Sequence, residues 1–231
     1  MTAAALHKLV ETYQLDILKT IELSEDLLAS LDSNGQTAIS KIIIKKGLEF
    51  VPQELLTEQL LFTASKPEEE GADTTWSTLD CAIRADQYHL LPDKLRNKQV
   101  LLKGQAGGWT GLHLAAAYGK LPQLDQGMLT IKNLCIPNDI GANCYHFAAL
   151  NGFIRQIPID CLTPELLLIP DEEKVTPLEY VRDVNEDDLY YLPVDESCRE
   201  ILGDKLDDIL AARRQKEALG KDSDSQHIEL F

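Results

Sequence analysis

The stretch Gly108-Trp109-Thr110-Gly111-Leu112-His113-Leu114-Ala115-Ala116-Ala117-Tyr118-Gly119 decides how the chain is read. Thr110 can cap a helix, because its side-chain oxygen accepts an otherwise unpaired backbone N–H. Leu112, Ala115 and Ala116 share one face small enough for a neighbouring helix to approach closely, and Gly119 ends the helix in a left-handed conformation. Thirty-three residues on, Gly141-Ala142-Asn143-Cys144-Tyr145-His146-Phe147-Ala148-Ala149-Leu150-Asn151-Gly152 has the same layout. Another 33 residues lead to Thr176-Pro177-Leu178, and 33 back from Thr110 lies Ser77-Thr78-Leu79-Asp80-Cys81-Ala82-Ile83. Thr37-Ala38-Ile39-Ser40 precedes Ser77 by 40, and the degenerate Ala4-Ala5-Leu6-His7 lies 33 before Thr37.

A second series runs in parallel. Thirteen residues before Thr37, Thr110, Asn143 and Thr176 stand Ser24, Asn97, Thr130 and Thr163, each followed by an apolar pair or single residue. Thr57 and Cys198 continue that series, whose steps are 33, 40, 33, 33 and 35. Both series lengthen by seven in the same place, so an insertion lies between Leu61 and Ser77, within which Pro67, Glu68, Glu69, Glu70, Gly71 and Asp73 read as a loop. The second polar start predicts another short helix, with Pro164 at its first position. Runs such as Asp32-Ser33-Asn34-Gly35 and Asn138-Asp139-Ile140-Gly141 read as turns. A helix–turn–helix unit cannot bury its apolar face alone, so stacking of neighbours must supply the core.

Thr110-Gly111-Leu112-His113-Leu114-Ala115-Ala116 resembles the TPLHxAA signature of ankyrin repeats, and Thr176-Pro177-Leu178 carries the proline that Gly111 replaces. The resemblance covers about residues 4 to 210, with close matches only in the units at Thr110 and Asn143. It implies an all-α, ankyrin-type helical solenoid of about six 33-residue repeats over 1–210, with units starting near 4, 37, 77, 110, 143 and 176. A charged flexible tail over 211–231 follows. Two departures stand out. Histidine is replaced by Ser40, Asp80 and Glu179, and prolines mark starts at Pro52, Pro92, Pro158 and Pro193. The resemblance further implies that His113 and His146 hydrogen-bond near the helix starts at Thr110 and Asn143, a structural role.

Chemistry is sparse. The five cysteines are odd in number, widely spaced and without a CxxC pair, which argues for a reduced, cytoplasmic chain without disulfides or zinc. Asp183, Asn185 and Asp187 begin like a calcium loop, but Asp188 stands where glycine is needed and Val194 where the last ligand should be. The glycine-rich Gly104-Gln105-Ala106-Gly107-Gly108 lacks the lysine of a phosphate loop. Cys144 and His146 could pair only from a packing helix. No enzyme, cofactor or metal is expected.

Trp76 precedes Ser77 and Trp109 precedes Thr110, so the two indoles occupy equivalent positions in adjacent units. In ankyrin-like proteins that position lies near the concave, partner-holding surface. The other such positions fall at Arg84, Ala117, Tyr118, Leu150 and Asn151. Aromatic residues and arginine are the types that dominate interface energies; the alternative is that the indoles merely cover the stack's own turns. The expected function is therefore non-catalytic binding of a partner protein. Alternatives are an acidic inhibitor of a basic or nucleic-acid-binding protein, and an enzyme or small-molecule sensor on the same scaffold.

The net charge of −16 argues against direct contact with nucleic acid or anionic membrane and modestly favours a basic partner surface. At the end of the tail, Ile228, Leu230 and Phe231 form a candidate docking peptide that resembles the QLxLF peptides binding bacterial sliding clamps, with His227 in place of glutamine.

Overall fold

The threonine, serine and asparagine residues read as helix starts all cap a helix in the computed structural model, which describes residues 1–66 and 75–225, excepting the side chains of 186 and 217–225. The longer first helices are α1 (Ala3–Glu11), α3 (Ala38–Ile44), α5 (Thr78–Arg84), α7 (Gly111–Ala117), α9 (Cys144–Leu150) and α11 (Pro177–Val184). Alternating with them are single-turn partners α2 (Glu25–Ala29), α4 (Glu58–Leu61), α6 (Lys98–Leu101), α8 (Ile131–Leu134), α10 (Pro164–Leu167) and α12 (Arg199–Leu202). Thr37, Ser77, Thr110, Asn143 and Thr176 cap the first set from α3 onward, and Ser24, Thr57, Asn97, Thr130 and Thr163 cap the second through α10. Each such bond is worth about 1 kcal/mol, enough to fix where a short helix begins. Cys198 precedes α12 without a side-chain cap, and α1 is capped by Thr2, two residues before the start read from the register.

The third residue of each first helix completes the cap. The backbone N–H of Thr110 donates to His113 Nδ1 at 3.1 Å, and that of Asn143 to His146 Nδ1 at 3.2 Å. Where the sequence substitutes acids, a carboxylate accepts the same bond: Ser77 N–H donates to Asp80 at 2.8 Å and Thr176 N–H to Glu179 at 2.7 Å. Ser40 is too short to reach back, and the Thr37 N–H donates instead to the Ser65 hydroxyl at 3.0 Å. At Asp80 and Glu179 the departure from histidine thus keeps the reciprocal cap in different chemistry, and at Ser40 it does not.

The helix ends repeat as faithfully. Tyr13, Lys46, Asp86, Gly119 and Gly152 all have φ between 58° and 74°. The residue after each donates its N–H five positions back, from Gln14 to Leu9, Gly47 to Ile42, Gln87 to Ala82, Lys120 to Ala115 and Phe153 to Ala148. This is the Schellman arrangement, which satisfies carbonyls the helix leaves open. Before the capped helices, Gly35, Gly108, Gly141 and Lys174 form a second left-handed series in the turns, where Asp32 Oδ1 and Asn138 Oδ1 each accept two backbone N–H groups.

The chain divides into two compact units, Met1–Met128 and Leu129–Phe231, where the repeat map runs unbroken over 1–210. In the first, α1 packs on α3, α3 on α5 and α5 on α7, while α2, α4 and α6 pack against α3, α5 and α7 in turn. Leu6, Ile39, Leu79 and Leu112, the same register position in each helix, are fully buried. Gln87 binds the preceding unit through its side chain, accepting from Leu48 N–H at 2.9 Å and donating to the Ile43 carbonyl. In the second, α9 packs on α11, with α10 and α12 beside α11.

Two features depart from the sequence reading. Short strands β1 (Ala64–Ser65) and β2 (Trp76–Ser77) pair antiparallel on either side of the insertion, Ser65 opposite Trp76. Helix α13 (Lys205–Ser225) continues through the residues 211–225 that were read as a tail, Gly220 included. The proline-marked starts are 3₁₀ or hydrogen-bonded turns, as at Gln53–Leu55 and Ile159–Cys161. The insertion acids Glu68, Glu69, Glu70 and Asp73 and the candidate docking residues Ile228, Leu230 and Phe231 lie outside the described residues. No helix among the described residues is long and apolar enough to cross a membrane.

Candidate functional site

Trp76 reaches its position on β2, immediately ahead of the Ser77 cap. Trp109 closes a tight turn in which Gln105 N–H donates to the Trp109 carbonyl at 2.7 Å. That turn needs Gly107 and Gly108, whose φ values of 68° and 70° are strained for any side chain. A Cβ on Gly107 would also sit 3.2 Å from Trp109 Cδ1, so the glycine leaves room for the indole beside its own turn.

Between these two turns and the end of α7 is a cavity of about 720 Å³. Its aromatic walls are Phe62, Trp76, Trp109 and Tyr118; Ala117 contributes to the same lining, and Asp80, Lys103 and Gln105 are the charged or amide groups that reach it. Four of the residues picked out by the repeat register, Trp76, Trp109, Ala117 and Tyr118, therefore meet in one place. Arg84, the last residue of α5, does not line the cavity. Its guanidinium carbon lies 3.4 Å from the Trp76 ring centroid and 4.6 Å from that of Tyr118. Leu150 and Asn151 belong to the C-terminal unit and do not line this cavity. Leu150 is exposed, and Asn151 Nδ2 donates to the Phe147 carbonyl of its own helix at 2.8 Å.

The sequence reading missed Phe62, Asp80, Lys103 and Gln105. Asp80 is 6% exposed, with one oxygen accepting the Ser77 N–H and the other accepting from Gln105 Nε2 at 2.9 Å. Burial raises its carboxyl above the usual range, against the hydrogen bonds from Ser77 and Gln105 and the nearby Arg84 charge. Lys103 is held by Glu58 at 2.7 Å and lies 4.2 Å over the Phe62 ring. The one available signal was Asp80 at a histidine position; Phe62 and Lys103 follow the single-turn helices, where no residue type is required.

The other candidates have structural surroundings. His113 and His146 are buried and bonded to their own helix starts. Cys144 is fully buried, which drives its thiol far above the ordinary range and keeps it from forming a nucleophilic thiolate. Asp183 is paired with Arg182 at 2.7 Å. Among the described residues no group of three or more His, Cys, Asp or Glu side chains could hold a metal ion.

Comparison with protein-family models and with curated proteins returns no significant match.

Proposed function

We propose that this protein is a non-catalytic recognition module built from about six ankyrin-type repeats, and that its N-terminal unit holds a partner protein at the cavity between Trp76 and Trp109. The observation that carries the reading is the convergence of Trp76, Trp109, Ala117 and Tyr118 on one cavity, although they were selected by repeat register alone. The repeat assignment is supported by left-handed helix ends at 13, 46, 86, 119 and 152, in the same 33- and 40-residue steps as the caps. A small-molecule sensor would gain support from two convergent titratable groups. Here Asp80 is a buried acid, whereas Lys103 is paired with Glu58. A preformed aromatic pocket suits an anchoring side chain, because little entropy is lost on either side when it fills. The acidic surface favours a basic partner over nucleic acid or membrane, and the cysteine pattern is in keeping with a reduced, cytoplasmic setting.

The test is the double variant Trp76→Ala/Trp109→Ala. Its melting temperature should stay close to the parent's while capture of partners from a native lysate is lost. Unfolding of the variant, with capture intact in the folded fraction, would make the indoles purely structural. Binding that weakens steeply with salt and ignores the double variant would favour the acidic-inhibitor reading.

A further inference from the structure

We infer that this cavity selects a tyrosine or tryptophan side chain of the partner, taking its ring against the aromatic walls and its O–H or N–H onto Asp80. The inference rests on the recognition reading above and names the occupant.

Three observations converge on that chemistry. The walls are Phe62, Trp76, Trp109 and Tyr118, and about 720 Å³ has room for a large aromatic side chain together with the residues that flank it. Flat rings packed edge-to-face or offset gain attraction beyond their buried area. Second, Asp80 reaches the lumen with each oxygen already accepting one bond, from Ser77 and from Gln105. A carboxylate accepts about four, so acceptor capacity remains. A ligand without a donor would cover that capacity and leave it unmet, which is how a buried polar group rejects an analogue lacking the matching hydroxyl.

Third, the cavity already carries charges of both signs, Asp80 and Lys103, each with a partner of its own. Arg84 already lies on Trp76 and Tyr118, and Lys103 on Phe62, so three of the four rings carry a cation. A second cation would meet the repulsion of Arg84 and Lys103. An anion would meet Asp80. A neutral donor on a large ring matches both the aromatic walls and the spare acceptor of Asp80, and tyrosine and tryptophan are the side chains that combine the two.

Trp76 and Trp109 are the only tryptophans in the sequence, so their emission reports on this cavity. Capped Gly-Gly-X-Gly-Gly peptides with X as Tyr, Phe, Arg or Glu are titrated against the full chain, exciting tryptophan selectively. The Tyr peptide should give a saturable change with affinity roughly tenfold or more above the Phe peptide, and the Arg and Glu peptides should be weaker than Tyr. Asp80→Asn should shrink the Tyr-over-Phe ratio to within roughly threefold, since a neutral acceptor bonds less strongly. Asparagine keeps an acceptor for the Ser77 N–H, and thermal melting verifies the fold. Equal binding of Tyr and Phe, or no saturable response to Tyr, overturns the inference. Preference for Arg overturns it while leaving the cavity a recognition site. Silence to every peptide, with partner capture surviving in the tryptophan double variant, removes both readings.

Discussion

The Arg84 guanidinium carbon lies 3.4 Å from the centroid of the Trp76 ring. Trp76 arrives on β2 and Arg84 at the end of α5, while Tyr118, also against Arg84, caps the end of α7. One cation therefore ties a turn to two adjacent helices. Its Nη1 is buried without a hydrogen-bond partner among the described residues, so the ring faces are what hold that end of the side chain. Arg84→Ala should lower stability by about 1–2 kcal/mol and shift tryptophan emission to the red as water reaches Trp76. Arg84→Lys should recover only part, because an ammonium cannot stack as a planar group. Urea unfolding followed by fluorescence measures both, and an unchanged midpoint in Arg84→Ala would show the stack to be incidental.

Gly111 stands where the repeat signature has proline, and packing accounts for it. A Cβ there would sit 2.9 Å from Leu101 Cδ1 and 3.2 Å from the Leu101 carbonyl oxygen. Gly111→Ala should cost about 1–3 kcal/mol through displacement of α6, although alanine is the better helix former. Gly104→Ala, at a position open to space, should change stability by less than about 0.5 kcal/mol. Paired thermal melts of the two variants decide the point: equal melting temperatures would contradict it.

His146 should make the C-terminal unit sensitive to acid. Burial holds its imidazole below the ordinary value of 6.5, with the Asp171 charge opposing that shift. Above that value both folded and unfolded chains carry neutral histidine, and the contribution to stability is complete. As pH falls below it, the unfolded chain takes up a proton that the fold resists, and stability is lost until the folded pKa is passed. His146→Gln keeps a side chain able to complete the cap. It should show a smaller drop in urea midpoint between about pH 7.5 and about pH 5.5 than the parent. A drop of the same size would assign the acid sensitivity elsewhere.

Thiol reactivity should distinguish the five cysteines. Burial pushes the Cys81 thiol up to about 11 and Cys144 higher still, and Cys161 and Cys198 are also buried. Burial raises the Cys135 thiol too, but it is only half-buried, so a reagent can reach its sulfur. A disulfide reagent at about pH 8 should therefore modify one thiol, Cys135, in the native protein and all five after denaturation. Mass mapping of the modified peptide identifies it, and fast native labelling of Cys144 would be incompatible with the packing of α9.

Much of this architecture was legible in the sequence because it is local. A helix cap joins residues three positions apart, so Thr110 with His113 and Thr176 with Glu179 can be read from spacing and residue type. The period, the insertion and the equivalence of Trp76 and Trp109 follow from the same register. The left-handed helix ends were legible only at Gly119 and Gly152. Tyr13, Lys46 and Asp86 adopt the same conformation without the residue that advertises it, because the surrounding packing and the bond five positions back impose it.

The cavity was a matter for tertiary structure. Its walls come from residues 62 to 118, and the roles of Asp80 and Lys103 depend on which turn and ring stand opposite them. Spacing along the chain placed the two indoles in equivalent positions but carried no information on depth, on Arg84 covering one ring face, or on the carboxylate beside them. Those depend on how far each side chain is removed from water by its neighbours, a property that exists only once the helices have stacked.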